Sequence, residues 1–320
     1  MILTTLGMFI IDSNEYISPP KPPETDIIGG AGTYAIIGAR IISPTPAISS
    51  QISGIIDKGT DFPPRIQHEI ESWQTGIHFR ANLNRKTTRG INTYRDGIRS
   101  FRYATPKLRV EVEDISRYGL DVSSRCFHLI CSIARCHSII TEIQRVNPDA
   151  VFVYEPLPDD CLVENYPHLK SVLSKVDVFT PNLDEARSLV GDHEAQLSLS
   201  ELSSKFTQHQ KLDRSATVIR CGAAGCHVET TNLSRSFPAY HQDQSRVVDV
   251  TGGGNSFCGG FIMGWYLSGG DWMRAAVCGN ISSGCIIEKL GVPLVQGDKY
   301  NGLTLEERLD IYYNANPELR

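Results

Sequence analysis

Short apolar runs rich in β-branched residues alternate with longer amphipathic stretches along most of this chain. The runs fall at residues 6–11, 127–131, 150–154, 176–180, 217–220 and 247–250. Helix-length segments lie between them, at 33–42, 139–146, 162–173 and 183–190, and an apolar helix is predicted over 256–267. Unbroken apolar strands joined to helices by short polar turns predict a mostly parallel sheet covered on both faces. Residues 43–110 interrupt the rhythm with Pro, Gly, Thr and Arg. Part of that stretch, with residues 15–21, predicts short strands projecting from the main sheet. Pro19-Pro20-Lys21-Pro22-Pro23 reads as a stiff local turn.

Composition narrows the picture. The 320 residues are 41% hydrophobic with a net charge of -5, which gives no general attraction to nucleic acid or to acidic membranes. The first twelve residues lack a basic n-region and run into what reads as a strand, a poor signal peptide. No apolar run approaches the roughly 18 residues a membrane span needs. Nine cysteines without CxxC spacing fit a reduced compartment, and a cytoplasmic location is expected. Cys126, Cys131 and Cys136, followed by His137, fall five apart in an apolar segment, where buried thiols fit better than a metal site.

The richest chemistry lies in Asp249-Val-Thr-Gly-Gly-Gly-Asn-Ser-Phe-Cys-Gly259. It joins a predicted strand (246–250) to the apolar helix, and three glycines at such a junction leave backbone N–H groups bare at a helix N-terminus. Bare amides and the positive end of the helix dipole then point the same way, which suits a phosphate or a phosphoryl group in transfer. Asn255 stands where a catalytic base would be expected, and an amide cannot serve as one. Asp12, expected at the end of the first strand, could accept hydrogen bonds from substrate hydroxyls, or act as a turn aspartate. Gly29 and Gly30 open a helix in Ile27-Ile-Gly-Gly-Ala-Gly-Thr-Tyr34. Asn182 and Glu185 sit three apart at a helix start, able to order waters around Mg²⁺ or simply to form a capping pair. Gly222 and Gly225 form a Gly-x-x-Gly turn after a strand, which also suits a hairpin.

In this order the pieces resemble the ribokinase-like, or PfkB, carbohydrate and nucleoside kinases, over roughly residues 3–292. The most specific motif is Asp-x-Thr-Gly-Ala-Gly-Asp, matched by Asp249, Thr251, Gly252, Gly253 and Gly254. The resemblance implies a ribokinase-like three-layer α/β/α sandwich with a mostly parallel central sheet and a small β lid. A single domain over 1–320 is expected, with lid strands from about 13–22 and 85–110. It implies ATP-dependent transfer of a phosphoryl group to a hydroxyl of a sugar, nucleoside or related small metabolite. Gly252, Gly253 and Gly254 would form the anion hole, and Asp12, Gly29 and Gly30 would contact the acceptor. Asn182 and Glu185 match the Asn-x-x-Glu motif tied to Mg²⁺ and phosphate, with Glu185 acting through water. Gly222 and Gly225 match the turn beneath the nucleotide, and Asn280 the helix flanking its adenine. A monovalent cation such as K⁺ would sit near Asp249 and Thr251, and some relatives form homodimers through the lid.

Two positions depart from that pattern. Asn255 replaces the Asp that takes the hydroxyl proton, and Tyr34 replaces an Asn that contacts sugar. With Gly-Gly-Ala-Gly-Thr-Tyr, Thr-Thr-Arg-Gly and Thr-Gly-Gly-Gly-Asn-Ser-Phe, these departures resemble a divergent fungal branch related to the yeast maintenance-of-killer protein. A general base contributes about 10²–10⁴-fold, but phosphoryl transfer depends mainly on positioning and charge neutralisation. A slow kinase and a nucleotide-binding pseudoenzyme with a regulatory or scaffold role both fit the residues. Between Arg80 and Arg109 stand seven further cations, including Arg99 and Lys107, against one acid, Asp96. Arg89, in Thr87-Thr-Arg-Gly90, is the first candidate to hold an anionic substrate or the transferring phosphate, the alternative being a solvated face with surface ion pairs.

Overall fold

The computed structural model describes residues 1–96, 98–211 and 214–320. Its centre is an eight-stranded sheet in the spatial order Ser234–Phe237, Cys226–Glu229, Ala216–Arg220, Val178–Phe179, Val151–Pro156, Cys126–Cys131, Leu3–Thr5, Ile52–Ser53. The six strands from Ala216–Arg220 to Ile52–Ser53 run parallel, and the remaining two are antiparallel. Cys126–Cys131 and Val151–Pro156 lie mid-sheet and are buried at nearly every position, which is why they read as unbroken apolar runs.

Helices cover both faces. On one face, Ala31–Ile42, Gly253–Leu267 and Trp272–Ile287 pack around Ile37, Phe261 and Ile281. On the other, Ile133–Gln144, Tyr166–Leu173, Leu183–Val190 and Leu199–Thr207 pack around Phe152, Phe179 and Phe206. A Cβ at Gly259 would run into the Ala35 carbonyl, so that glycine lets Ala31–Ile42 and Gly253–Leu267 meet backbone to backbone.

A second, four-stranded sheet forms the lid, in the order Pro20–Gly29, Ile10–Ser18, Arg89–Arg95, Ile98–Tyr103. Its first two strands reach further than the 13–22 expected, because Ile10–Ser18 and Pro20–Gly29 continue as one antiparallel ribbon down to Gly29, while Arg89–Arg95 and Ile98–Tyr103 lie within the expected 85–110. The prolines at 20, 22 and 23 lie inside Pro20–Gly29, the outer strand, and not in a compact turn. An edge strand tolerates residues that cannot donate to a ladder.

Three other expectations shift. The run at 6–11 is not one strand: Leu3–Thr5 belongs to the central sheet and Ile10–Ser18 to the lid. Gly7 lies against the backbone of Gly32, with 2.6 Å left between a Cβ there and the Gly32 Cα, and the chain leaves the sheet at this contact. Asp12 is therefore the third residue of a lid strand and does not end the first sheet strand. Residues 247–250 form no strand. The N–H groups of Val248 and Asp249 both donate to one carbonyl, Ile287 O, and no ladder partner exists among the described residues. The helix expected from 139 starts at Ile133, six residues sooner, behind the Ser132 cap. Leu183–Val190 falls where it was expected.

Candidate functional site

The glycine turn sits where the lid meets the carboxyl edge of the sheet. Asp249 Oδ1 accepts the Thr251 N–H at 3.0 Å and starts the turn. Gly252 adopts a left-handed conformation (φ 81°) as the cap of Gly253–Leu267. Not all the glycine amides are bare, however. Gly253 N–H donates to Val250 O at 3.1 Å. Among the described residues those of Gly252, Gly254 and Asn255 find no backbone acceptor, so the free amides are shifted by one position from the simple glycine triplet.

Gly253 and Gly254 line a cavity of about 150 Å³ that also takes in Gly222, Gly225 and Asn280. Gly222 and Gly225 flank a tight turn with Cys221 N–H donating to Gly225 O at 2.7 Å, and both have positive φ. A Cβ at Gly225 would collide with the Phe237 carbonyl. The turn is the hairpin between Ala216–Arg220 and Cys226–Glu229, and at the same time a wall of this cavity. Asn280, buried on Trp272–Ile287, donates to Cys226 Sγ at 3.5 Å, and Ser283, Gly284 and Ile287 continue the same helix face into the cavity. Val250 and Phe257 give it apolar surface.

Behind the turn lies a charge network that the periodicity of the sequence does not announce. Arg220 Nη1 pairs with Glu155 Oε1 at 2.7 Å, and Arg220 Nη2 approaches Glu185 Oε2 at 3.6 Å. Glu155, 4% exposed, also meets His128 Nε2 at 3.2 Å. Burial pushes the Glu155 carboxyl up, but the Arg220 charge and the His128 hydrogen bond outweigh it and hold it at about 2. Asn255 Nδ2 donates to both Glu155 oxygens at 3.0 Å. Facing a carboxylate, the amide must present its NH₂, which leaves Asn255 Oδ1 available as an acceptor. His128, Glu155 and Cys258 place three ligand atoms within 4.8 Å of one another, but Arg220 and Asn255 already claim the carboxylate, so the group is a salt-bridge network and not a metal centre. Cys126, Cys131 and Cys136 are buried thiols. A charge closing an apolar run (Glu155 in Val-Phe-Val-Tyr-Glu, Arg220 in Thr-Val-Ile-Arg) was the signal that could have found this network.

Asn182 and Glu185 form a reciprocal capping box: Glu185 N–H donates to Asn182 Oδ1 at 2.8 Å and Asn182 N–H to Glu185 Oε2 at 2.7 Å. Glu185 is buried, which lifts its carboxyl above the ordinary range against the pull of Arg220. Its Oε1 accepts nothing among the described residues. The capping pair and a water-mediated ligand are thus compatible in one residue.

On the other side of the turn stands Asp12, 5% exposed, with Oδ1 lacking any hydrogen-bond partner among the described residues. Burial raises its carboxyl to about 6, against the pull of Arg99 and with a push from Asp249. Asp12 is clasped by glycines: a Cβ at Gly29 would strike Oδ2, and one at Gly90 would lie 2.5 Å from Oδ1. Gly30, with φ 93°, caps Ala31–Ile42 beside them. Gly90 and Arg99 are additions to the residues read from sequence. Arg89, in contrast, is turned away. Its Nη1 pairs with Asp26 and its Nε with Asp61, both at 2.9 Å, so its charge is already neutralised. The cation facing Asp12 from the lid is Arg99, whose Nε donates to Asn92 Oδ1 at 2.9 Å.

Comparison with known proteins bears on the family and the fold. Residues 68–295 match the pfkB family of carbohydrate kinases. The chain is 37% identical to Protein MAK32 of Saccharomyces cerevisiae, over 98% of this chain and 93% of that protein. A ribokinase II of Escherichia coli, solved with ATP and Mg²⁺, superposes with a TM-score of 0.72 at 16% identity, covering 98% of this chain and 99% of that one. Adenosine kinase of Anopheles gambiae, in complex with a di(adenosine) tetraphosphate, superposes with a TM-score of 0.70 at 18% identity, covering 89% and 95%. Among the described residues no helix is long and apolar enough to cross a membrane.

Proposed function

This chain belongs to the pfkB family of carbohydrate kinases, and from that premise we propose that it transfers the γ-phosphoryl group of ATP to a hydroxyl of a sugar, nucleoside or related small metabolite. One observation carries the reading. The glycine turn stands between a cavity walled by Gly222, Gly225 and Asn280 and a buried carboxylate, Asp12, that lacks a partner for one oxygen. A donor on one side, an acceptor on the other and free amides between them is the arrangement that in-line transfer requires.

The residues divide the work as follows. The N–H groups of Gly252, Gly254 and Asn255, with the dipole of Gly253–Leu267 behind them, stabilise charge on the phosphoryl group. Arg220 stands against Gly254, where its guanidinium, paired with Glu155, borders the same place. Asp12 accepts acceptor hydroxyls, and Gly29, Gly30 and Gly90 give it room. Asn255 Oδ1, turned outward by Glu155, accepts from the reacting hydroxyl and orients it. The proton leaves to water or to the phosphoryl oxygens, since no carboxylate replaces the missing base.

The free Oε1 of Glu185 fits a water-mediated Mg²⁺, with Asn182 fixing the turn that presents it. Mg²⁺ bound there would neutralise charge on the triphosphate. Asp249 and Thr251 fit K⁺: the buried Thr251 hydroxyl has no partner among the described residues. With this reading go a cytoplasmic location, small-molecule partners and a homodimer formed through the lid, as parts of the same proposal.

Calorimetry with ATP-Mg²⁺, followed by an ATP-consumption screen over sugars and nucleosides, tests the reading. Nucleotide binding with no turnover on any acceptor would favour a second one, a nucleotide-binding scaffold. The observation behind that alternative is the capture of the Asn255 amide by Glu155.

A further inference from the structure

Above the carboxyl ends of Cys126–Cys131 and Val151–Pro156 lies a cavity of about 390 Å³ that none of the roles above explains. Its size falls within the range of small-molecule sites, about 300–1,000 Å³. Its lining combines apolar side chains, among them Met8, Ile10 and Ile130, with the cations Lys107, Arg109 and Arg135. No Asp or Glu lines it. Two of these cations are unmatched: among the described residues neither Lys107 nor Arg109 has a carboxylate within 4.0 Å, although Lys107 Nζ lies 5.3 Å from the centre of the Tyr103 ring. Arg135 pairs with Glu111 at 2.8 Å and donates to Val110 O, but its Nε is buried with no partner. Elsewhere Arg80, Arg89, Arg187, Arg214, Arg220 and Arg308 have a carboxylate partner, while Arg40, Arg125, Arg235 and Arg274 are satisfied by carbonyl or hydroxyl oxygens. Two cations without a carboxylate within 4.0 Å give this acid-free lining a positive charge in a chain whose overall charge is -5, although both also border a neighbouring cavity lined by Asp57, Glu111 and Asp114.

The cavity adjoins the acceptor side of the site. Ile10 and Asp12 alternate with Ile11 on one lid strand and so share a face. Gly90 pairs with Asp12 on one side and with Tyr103 on the other, and Tyr103 lines the cavity. The Tyr103 phenol, raised above its ordinary range by burial, feels Asp12 and Arg109 from opposite directions. A molecule with a hydroxyl at Asp12 thus extends past Tyr103 towards Lys107 and Arg109.

We propose that the cavity holds the anionic end of the acceptor, so that the substrate class is a sugar-like molecule bearing a phosphate or carboxylate away from the hydroxyl that reacts. The inference rests on the kinase reading and narrows it. In the reaction the hydroxyl oxygen forms a bond to the γ-phosphorus, the bond from that phosphorus to the β,γ-bridging oxygen breaks, ADP leaves and one proton is released. The anionic group takes no part in the chemistry. Lys107 and Arg109 bind it by charge-assisted hydrogen bonds, with Ser132 and the start of Ile133–Gln144 beside them.

Calorimetry, run without nucleotide, would compare neutral pentoses and hexoses with their phosphate monoesters and with the matching sugar acids, and would include inorganic phosphate as a minimal probe. The expected result is about tenfold or greater preference for one anionic class over its neutral parent, lost in a Lys107→Ala/Arg109→Ala double variant. Preference for monoesters identifies a phosphate, and preference for acids a carboxylate. Equal binding of neutral parents, no binding of any anion including inorganic phosphate, or a preference that survives in the double variant would overturn the proposal. Both residues are exposed, and single Gln substitutions provide a check should the double variant fold poorly. ATP affinity, measured separately, should be unchanged in the variants. Its absence from the unmodified protein would overturn the kinase reading and leave the anion result to stand by itself.

Discussion

The Tyr34 ring lies directly against the α-carbon of Gly252, so that a Cβ there would overlap three ring carbons. Tyr34 is 3% exposed, and its hydroxyl donates to Ile28 O at 3.3 Å. A position expected to contact sugar instead buttresses the anion-binding turn from below. Gly252→Ala should therefore fail twice, once through the left-handed backbone, at about 1–2 kcal/mol, and again through the ring. Denaturant unfolding should show the loss, and calorimetry should show weaker ATP binding. Tyr34→Ala in the same chain removes the steric part only, and the backbone penalty should persist.

The capture of Asn255 by Glu155 changes what a restored carboxylate can do. Asn255→Asp places a second carboxylate about 3 Å from one that Arg220 holds ionised, and two such groups cannot both ionise cheaply. The new Asp should stay protonated near neutrality and donate to Glu155, useless as a base. The single variant should lose on the order of 1–3 kcal/mol and gain no turnover, its deficit shrinking as pH falls. Combining it with Glu155→Gln moves the negative charge to the other member of the pair and keeps the total. That pair, assayed for ADP release, should recover stability and raise turnover above the unmodified chain; a flat response would show that more than the base is missing.

Asp12 gives a pH dependence of definite sign. Its folded carboxyl lies at about 6, above the ordinary aspartate value of 3.8, so the folded state binds the extra proton. Keeping Asp12 charged costs stability above about pH 6, and the cost disappears as pH falls from about 6 to below 4. Acceptor binding runs the other way, because only the ionised form can receive several hydroxyl hydrogen bonds. Asp12→Asn should stabilise the protein at pH 7 by on the order of 1–3 kcal/mol while raising KM for the acceptor. The wild-type KM should climb below about pH 6, and in the variant that climb should vanish.

How much of this could be read from sequence depends on how local the cause is. Leu183–Val190 came out at its expected bounds because its capping box is written within four residues, Asn182 to Glu185. The helix after the glycine turn was equally legible, as a glycine cluster feeding an apolar segment. Residues 247–250 misled because β-branching describes a residue's preference and says nothing of whether a partner strand exists. The lid entry misled because the close approach of Gly7 and Gly32 is a tertiary contact. The network of Glu155, His128 and Arg220 joins three strands of the parallel sheet, two adjacent and the third beyond Val178–Phe179, and only topology brings these residues together. Arg89 and Arg99 looked alike in a basic stretch. Their partners, Asp26 and Asp61 for one and the Asp12 side of the lid for the other, decide which faces the site.

Arg89 accordingly carries a structural prediction. It ties Arg89–Arg95 to Asp26 on the outer lid strand and to Asp61 in the loop below, with all three side chains partly exposed. Partly exposed pairs contribute little each, so Arg89→Ala should cost about 1 kcal/mol. Hydrogen exchange should quicken along Arg89–Arg95, and affinity for anionic ligands should stay where it was. A selective loss of anion binding would restore Arg89 to the cleft.

Arg220 should be the most sensitive position of all. It answers the charge of Glu155 and lies within reach of Glu185, and its guanidinium fills the space beside Gly254. Arg220→Ala leaves at least one buried carboxylate uncompensated, a change that costs about 3–5 kcal/mol in buried pairs. Arg220→Lys keeps the charge but cannot reach both acids through one planar fork, and an intermediate loss is expected. The pH dependence separates charge from packing. In the unmodified chain Glu155 is held at about 2, below the ordinary glutamate value of 4.5, so its stabilisation is present above about pH 4.5 and drains away as pH falls towards 2. In Arg220→Ala the largest lowering influence on Glu155 is gone and burial is opposed only by the His128 and Asn255 hydrogen bonds, so its carboxyl rises and lowering the pH weakens the variant less than the parent. Urea unfolding across pH 7 to 3 should show the gap between the two closing; a gap constant with pH would mean that the lost packing of the guanidinium, and not its charge, is what the fold misses.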